Sequence, residues 1–549
     1  MNARVPTDRL PVLLLAVAAL ASGIWLIGLD SRLTFIADDW MLLVKRQGWT
    51  LDYFLHPFHG NIVAAPGLVY RLMLEVFGMG SATPYYCVAI AAFLASAVLL
   101  FAFARRRVGE WPALIGAVLI LFLGAAFEDL FFAFQIGYFA SMAAGLGMLL
   151  ALDREDETGD RVACALAVVS LAFSSVGLAF VAGAVVDVAL GRRPRLRRAY
   201  VALLPIALYL LWWVGWGHVA NTNVSFDNAL ETPKFVFEAA AAGIVSLLGL
   251  ATGDGSEPDQ PHLIWGELLL VAGLVLLAVR FWRQRRLPRG LAVALGIGLA
   301  FWGLAGLNAE EMRLPTSSRY QYPSAVFLLL IAAEALRGLR IPRAAVAVAA
   351  GIAAVAIYGG VSLAEREHEE RWVPYADSLR AKLAAVEIAG ERGDPGYEVS
   401  FAPGLVAPAG HYLSSAREYG SPAFSPAELE ARPLEDQLAA DLAIAQMLGL
   451  ALVPPDPGER ILGCQLLEAS ADGYTGLTQL RGGFRLTNRG AAEVEVLLSR
   501  IAGEHSVILG SLGPGQTTSL TIPVDGSDRP WGLGLRGEGP VRLCTTEPR

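Results

Sequence analysis

The feature that most limits how this chain can fold is a series of apolar blocks. Between residues 10 and 361, stretches of roughly 15–22 apolar residues recur, each interrupted by a short charged or Pro/Gly-rich interval. Coiled as α-helix, blocks of that length match the ~30 Å hydrocarbon core of a bilayer. With 55% apolar and only 17% charged residues over 549 positions, and a mean hydropathy of +0.49, a single soluble core cannot enclose the apolar surface. The chain therefore reads as an α-helical polytopic membrane protein. The block at 10–29 outruns a signal-peptide core and leads into further blocks, so it is expected to be a retained helix. The net charge of −8 is no guide to nucleic acid, because the basic residues lie in short clusters between apolar spans. No nucleic-acid partner is expected.

Those clusters report topology instead. Arg and Lys concentrate in cytoplasmic loops, which puts 105–107, 192–198, 283–289 and 337–343 on the inner face. Crossings then fall near 10–29, 86–104, 111–127, 131–151, 199–217, 263–282, 291–307, 322–336 and 344–363. Both ends of 162–190 must be inside, so that stretch is expected to be two short helices turning at Phe173, Ser174 and Ser175. The total is about eleven transmembrane helices. Residues 235–250 are apolar enough to span, but spanning would invert everything downstream, so they are expected to be interfacial or re-entrant. The C-terminus is thereby placed outside a plasma (inner) membrane.

After residue 363 the blocks stop. Residues 364–460 carry helical patterning, at 372–388 and 434–448, and 461–549 carry short alternating runs at 484–487, 494–501, 507–512, 519–524 and 531–535. An extracytoplasmic α+β domain containing a small β-sandwich is expected. Cys87 and Cys164 lie in apolar spans, whereas Cys464 and Cys544 bracket the β-rich segment and are expected to form a disulfide, which an oxidising compartment would permit. Their wide spacing is not a metal-site pattern, and no His/Cys cluster suggests zinc.

The outer loops carry the candidate chemistry. Asp38 and Asp39 follow the first span, where two adjacent carboxylates near the bilayer are costly unless paired or used. One reading makes them helix-start caps; the other makes one a general base on an acceptor hydroxyl and its neighbour a ligand for the acceptor or a divalent cation. His56, His59 and Asn61 in the same loop could position a phosphate or serve as ordinary loop residues. Glu128, Asp129 and Gln135 lie at the turn between the third and fourth spans, and His218 ends the seventh, close to Asn221 and Asn223. Glu310 and Arg313 lead to Arg319 and Tyr320 just before a later span. Arg319 suits an anion clamp, because a guanidinium fork holds two phosphate oxygens; snorkelling toward lipid headgroups is the competing use.

The Asp-Asp-Trp at 38–40, the His-Pro-Phe-His-Gly-Asn at 56–61, the Pro-Gly-Leu-Val-Tyr-Arg-Leu at 66–72 and the Ser-Arg-Tyr at 318–320 resemble the GT-C superfamily of integral-membrane glycosyltransferases, which includes protein O-mannosyltransferases and aminoarabinose transferases. The resemblance covers the membrane half. It implies transfer of a sugar from a polyprenyl-phosphate-linked donor to an extracytoplasmic glycan, lipid or protein acceptor, with Asp38 or Asp39 as the first-loop acid and Arg319 meeting the carrier phosphate. A transporter fits less well, since the spans are nearly free of mid-membrane ionisable groups. The alternative is a non-catalytic membrane protein of envelope glycan assembly or export whose C-terminal domain binds a glycan or a partner.

Overall fold

A computed structural model describes residues 9–46, 48–191, 193–220, 222–253, 262–310, 313–473, 480–503, 505–523 and 529–547. The apolar blocks are helices. Among the described residues seven are long and apolar enough to cross a membrane: Arg9–Asp30, Thr83–Val108, Glu110–Leu130, Ala133–Leu152, Leu263–Arg283, Arg289–Leu307 and the run Arg343–Arg392. Val176–Leu190 and Tyr200–Gly215 are shorter apolar helices. With a β-rich C-terminal region, the chain is a multi-pass helical membrane protein. It packs as two compact units, one of Met1–Leu33, Arg46–Met73 and Ala82–Val373, the other of Thr34–Lys45, Leu74–Ser81 and Pro374–Arg549.

In the first unit, local chemistry sets where helices start and stop. Gly109 ends one helix and opens the next at φ +86°, a conformation a side chain would strain. Asp156 caps Glu157–Phe173 by accepting the Gly159 N–H at 2.6 Å. Extended backbone at Ser174 then breaks the helix before Val176–Leu190, so the stretch 162–190 does hold two helices turning at the serines. The segment expected to be interfacial belongs to a longer helix, Phe226–Leu247, whose start is fixed by Ser225 Oγ accepting the Asn228 N–H at 3.1 Å. Its alanine-rich face is buried against Leu263–Gln284, Arg289–Leu307 and Gln321–Ala335. Polar residues in its first turns concealed that beginning from a hydropathy reading.

Two devices hold these helices together where lipid removes the hydrophobic drive between them. One is backbone apposition: a Cβ at Gly124 would sit 1.7 Å from the Gly360 carbonyl oxygen, and one at Gly249 would sit 2.3 Å from that of Ala356. The other is a buried ion network. Arg198, 2% exposed, binds Asp160 at 3.0 Å and Asp187 at 2.7 Å, while Arg289 binds Asp187 at 2.6 Å and Glu155 at 3.1 Å. Arg107 pairs with Asp153 at 2.9 Å and with the buried Glu334. Arginines expected only to mark sidedness thus also neutralise acids buried at the helix ends.

The second unit is mixed. Strands β1 (Glu398–Ala402) and β2 (Leu405–Pro408) form a hairpin ahead of the helix Ala409–Tyr419. After the helix Leu434–Met447 come β3 (Ile461–Ala469), β4 (Gly482–Asn488), β5 (Val494–Ser499), β6 (Val507–Leu512), β7 (Thr517–Ile522), β8 (Gly532–Gly537) and β9 (Gly539–Thr546). They make two antiparallel sheets, ordered β3-β9-β4-β7 and β6-β5-β8. The five strands expected from alternation are present, although residue 524, at the end of the expected 519–524 run, lies outside the described residues. Asp441 joins helix to sheet by accepting the backbone N–H groups of Arg500, Ile501 and Ala502 at 2.9–3.1 Å.

Cys464 and Cys544 form the expected disulfide, and they sit within strands β3 and β9, directly opposite each other in register, rather than flanking the sheets. The bridge closes a separation of 80 residues, so Cys464→Ser is expected to cost this unit about 2–5 kcal/mol. Hydrogen exchange on the full chain should show faster exchange of the β3 and β9 amides with the membrane helices unchanged. Equal protection in variant and parent would show that the bridge adds nothing.

Candidate functional site

The most developed polar site in the first unit joins two short turns. Gly124–Ala126 and Phe127–Leu130 are the last two turns of the run Glu110–Leu130, and the second of them carries Glu128 and Asp129; Ser318–Tyr320 is a single 3-10 turn leading into Gln321–Ala335. Ser318 stitches them, its Oγ donating to the Ala125 carbonyl at 2.7 Å and accepting the Glu128 N–H at 3.2 Å. Glu128 Oε2 in turn accepts from Arg319 twice, from the backbone N–H at 3.1 Å and from Nε at 3.2 Å. Burial, the largest single influence, would lower the Arg319 pKa, but the Glu128 carboxylate together with the Tyr138 and Tyr320 phenols more than offsets it, so the guanidinium is held above its ordinary value and stays charged. With 38% of its side chain exposed, Arg319 still presents a surface to an anion.

Beside this pair lies Asp129, fully buried, with neither carboxylate oxygen hydrogen-bonded among the described residues. The charges of Glu128 and Arg319 act on it, and the Tyr138 phenol feels Asp129, Arg319 and Arg313 together. An unpaired buried carboxylate costs several kcal/mol, so where one persists it marks a place that a ligand or proton completes. Asp30, at the end of the first helix, is a second such group. Neither Asp30 nor Tyr138 stood out in the sequence, because a lone acid at a helix end reads as a cap and a tyrosine in an apolar span reads as packing.

Arg313 pairs with Glu310 at 2.8 Å, and Glu310 also accepts from the Asn223 side chain. Asn221, named with His218 and Asn223, lies outside the described residues. Tyr320 is 8% exposed, with Phe235 and Phe301 edge-on at 6.1 Å, so its ring packs the site's floor. Among the described residues no group of three or more His, Cys, Asp or Glu side chains is arranged to hold a metal; Glu128 and Asp129 are a pair of adjacent carboxylates.

No protein-family model matches the chain, and no curated protein does. Among solved structures it is similar to the archaeal oligosaccharyltransferase AglB from Archaeoglobus fulgidus, in complex with an inhibitory peptide and a dolichol-phosphate. The TM-score is 0.42 and the identity 15%, over 81% of this chain and 69% of that one. That similarity assigns no residue of this chain a role.

The other sequence candidates occupy different surroundings. His59 (φ +46°) and Gly60 (φ +78°) form a two-residue turn whose flanks, Phe58 and Asn61, exchange backbone hydrogen bonds of 3.0 and 2.8 Å. The Asn61 amide donates to the His59 carbonyl at 3.2 Å, and Arg46 donates to the Tyr53 and Pro57 carbonyls while His56 Nδ1 lies 3.0 Å from the latter. Turn chemistry therefore accounts for much of the 56–61 motif. Gln135 is half-buried in the turn Ala133–Gln135, and His218 is exposed in the turn Gly217–Val219.

Asp38 and Asp39 belong to the second unit. Asp39 is fully buried, and its Oδ2 accepts the Ile36 N–H at 2.7 Å, which braces a loop bent at Ala37 (φ +45°). Trp40 anchors the same loop, donating to the Phe35 carbonyl at 2.9 Å and stacking on Phe401 at 4.7 Å. Asp38 is half-exposed. Both carboxylates act electrostatically on the Tyr375 phenol, which donates to the Phe401 carbonyl. The two acids, alike in sequence, thus have different surroundings.

Proposed function

We propose that the chain is a glycosyltransferase moving a sugar from a polyprenyl-phosphate carrier to an extracytoplasmic glycan, lipid or protein acceptor. In this reading the membrane part is GT-C-like with about eleven crossings. The C-terminal unit is outside the plasma membrane, and its two sheets form a small β-sandwich. The observation that carries the proposal is the Arg319–Glu128 pair with the orphaned Asp129 buried beside it. A guanidinium kept charged and partly exposed, next to an unsatisfied acid, suits a substrate bearing both a phosphate and hydroxyl or amide donors.

The acceptor oxygen attacks the anomeric carbon as the bond from that carbon to the carrier phosphate breaks. The electron pair leaves on the phosphate, where Arg319 steadies the charge, and the acceptor proton passes to the Asp38 carboxylate. A phosphate leaving group needs little further activation. The protein mainly supplies positioning, an anion clamp and a base.

Arg319→Gln is expected to raise the KM for the lipid-linked donor roughly 10- to 100-fold, the worth of one or two charge-assisted hydrogen bonds. Arg319→Lys should recover part of it. The measurement is transfer of labelled sugar from polyprenyl phosphate by the full chain in proteoliposomes. An unchanged donor KM in Arg319→Gln would remove the clamp from the mechanism. No transfer by the parent chain from any carrier-linked sugar, with lipid or glycan binding intact, would favour the non-catalytic alternative.

A further inference from the structure

Helices Leu263–Gln284 and Arg289–Leu307 are joined by a turn of only four residues, 285–288, and consecutive antiparallel helices so connected ordinarily pack on each other. These two barely touch. Leu263–Gln284 lies along Phe226–Leu247 instead, with only 6% of its apolar window buried. Between the pair, at the end closed by the turn, runs a groove of about 260 Å³ lined by Leu274, Leu277, Leu291 and Leu295 with Arg280 and Arg286. That volume is below the usual range for a whole small-molecule site and suits one hydrocarbon chain.

The charge at its mouth is unusual for this unit. The neighbouring Arg289 is neutralised by Asp187 and Glu155, as Arg107 is by Asp153 and Glu334. Arg280, Arg283, Arg285 and Arg286 have no acidic partner among the described residues, and 268–309 contains no acid in the sequence. Arg280 donates through its terminal nitrogens to the Ala335 and Arg337 carbonyls, which leaves its Nε buried without a partner beside the leucines. An apolar slot ending in uncompensated arginines is complementary to a lipid with an anionic head, and not to a neutral helix.

We propose that this groove is a binding site for an anionic glycerophospholipid, one acyl chain lying along the leucines and the phosphate meeting Arg286 and Arg280. The site is separate from the Arg319 cluster and does not depend on the transfer reaction.

The test is native mass spectrometry of the delipidated full chain, titrated with phosphatidylglycerol and with phosphatidylethanolamine of the same acyl chains. The parent should retain phosphatidylglycerol preferentially. The double variant Arg280→Gln/Arg286→Gln should lose that preference by about fivefold per arginine, with phosphatidylethanolamine retention unchanged. Leu277→Trp, which fills the groove, should abolish retention of both, and Leu291→Trp does the same from the opposite wall if the first variant does not fold; lipid-free melting temperatures report folding. Equal retention of the two lipids by the parent would overturn the proposal, as would retention indifferent to the groove-filling variants. Displacement of phosphatidylglycerol by an equimolar polyprenyl phosphate would overturn it in favour of the carrier. A parent dimer made monomeric by Leu277→Trp would overturn it in favour of a second copy of the chain.

Discussion

Asp38→Asn is expected to lower the rate of sugar transfer by roughly 10²- to 10⁴-fold, the range for removing a general base, with protein yield and donor KM near those of the parent. Asp39→Asn is expected to behave differently. Asp39 is fully buried and holds the Ile36 N–H, so weakening that acceptor should cost about 1–3 kcal/mol of loop stability and show as lower yield and melting temperature. The structure gives two residues that are indistinguishable in a pattern of adjacent acids different surroundings: Asp39 is buried and braces the loop, whereas the half-buried Asp38 is the one proposed as base. Steady-state kinetics of both variants in proteoliposomes, alongside thermal unfolding, makes the distinction measurable. Parent-like turnover by Asp38→Asn would remove the proposed base.

The second large effect lies at the arginine-rich helix ends. Asp187→Ala is expected to destabilise the membrane unit by about 3–5 kcal/mol, because it strands Arg198, which is 2% exposed, and strips Arg289 of its nearest partner. The cost comes from an uncompensated charge in a poorly solvated place, so Asp187→Glu should restore most of it. Thermal unfolding in nanodiscs at matched lipid composition is the measurement. A melting temperature for Asp187→Ala within a degree or so of the parent would mean that water or lipid headgroups already solvate these arginines.

Much of the membrane unit was legible because its physics is one-dimensional. A block of apolar residues forms a helix wherever backbone groups lack water, and Gly109 or the serines at 174–175 mark where one ends. The 162–190 hairpin came from charge bookkeeping at its two ends rather than from hydropathy. What escaped the sequence was mostly long-range. The loop bearing Asp38 and Asp39 groups with the C-terminal unit because Trp40 stacks on Phe401, far downstream, and no local pattern announces that partnership. Strands β3 and β9 were missed because the run Ile461–Ala469 does not alternate and β9 opens with Gly539 and Pro540. The cysteines that the sequence had paired are the ones those strands carry. At the candidate site, Glu128, Asp129 and Arg319 were each noticed singly, but their convergence runs through Ser318, whose hydroxyl reads in a sequence as nothing special.

The glycine appositions have a mechanical corollary. Where Gly124 abuts Gly360 and Gly249 abuts Ala356, main chain rests on main chain, a joint whose stiffness owes nothing to the length or saturation of surrounding acyl tails. The helix Leu263–Gln284 has one such joint, Gly266 against the Ala241 carbonyl near its start, and shows most of its remaining surface to lipid. A thicker or thinner bilayer should therefore swing the far end of that helix about its Gly266 seat first, while leaving the glycine-seated frame, and the turn carrying Glu128, in place.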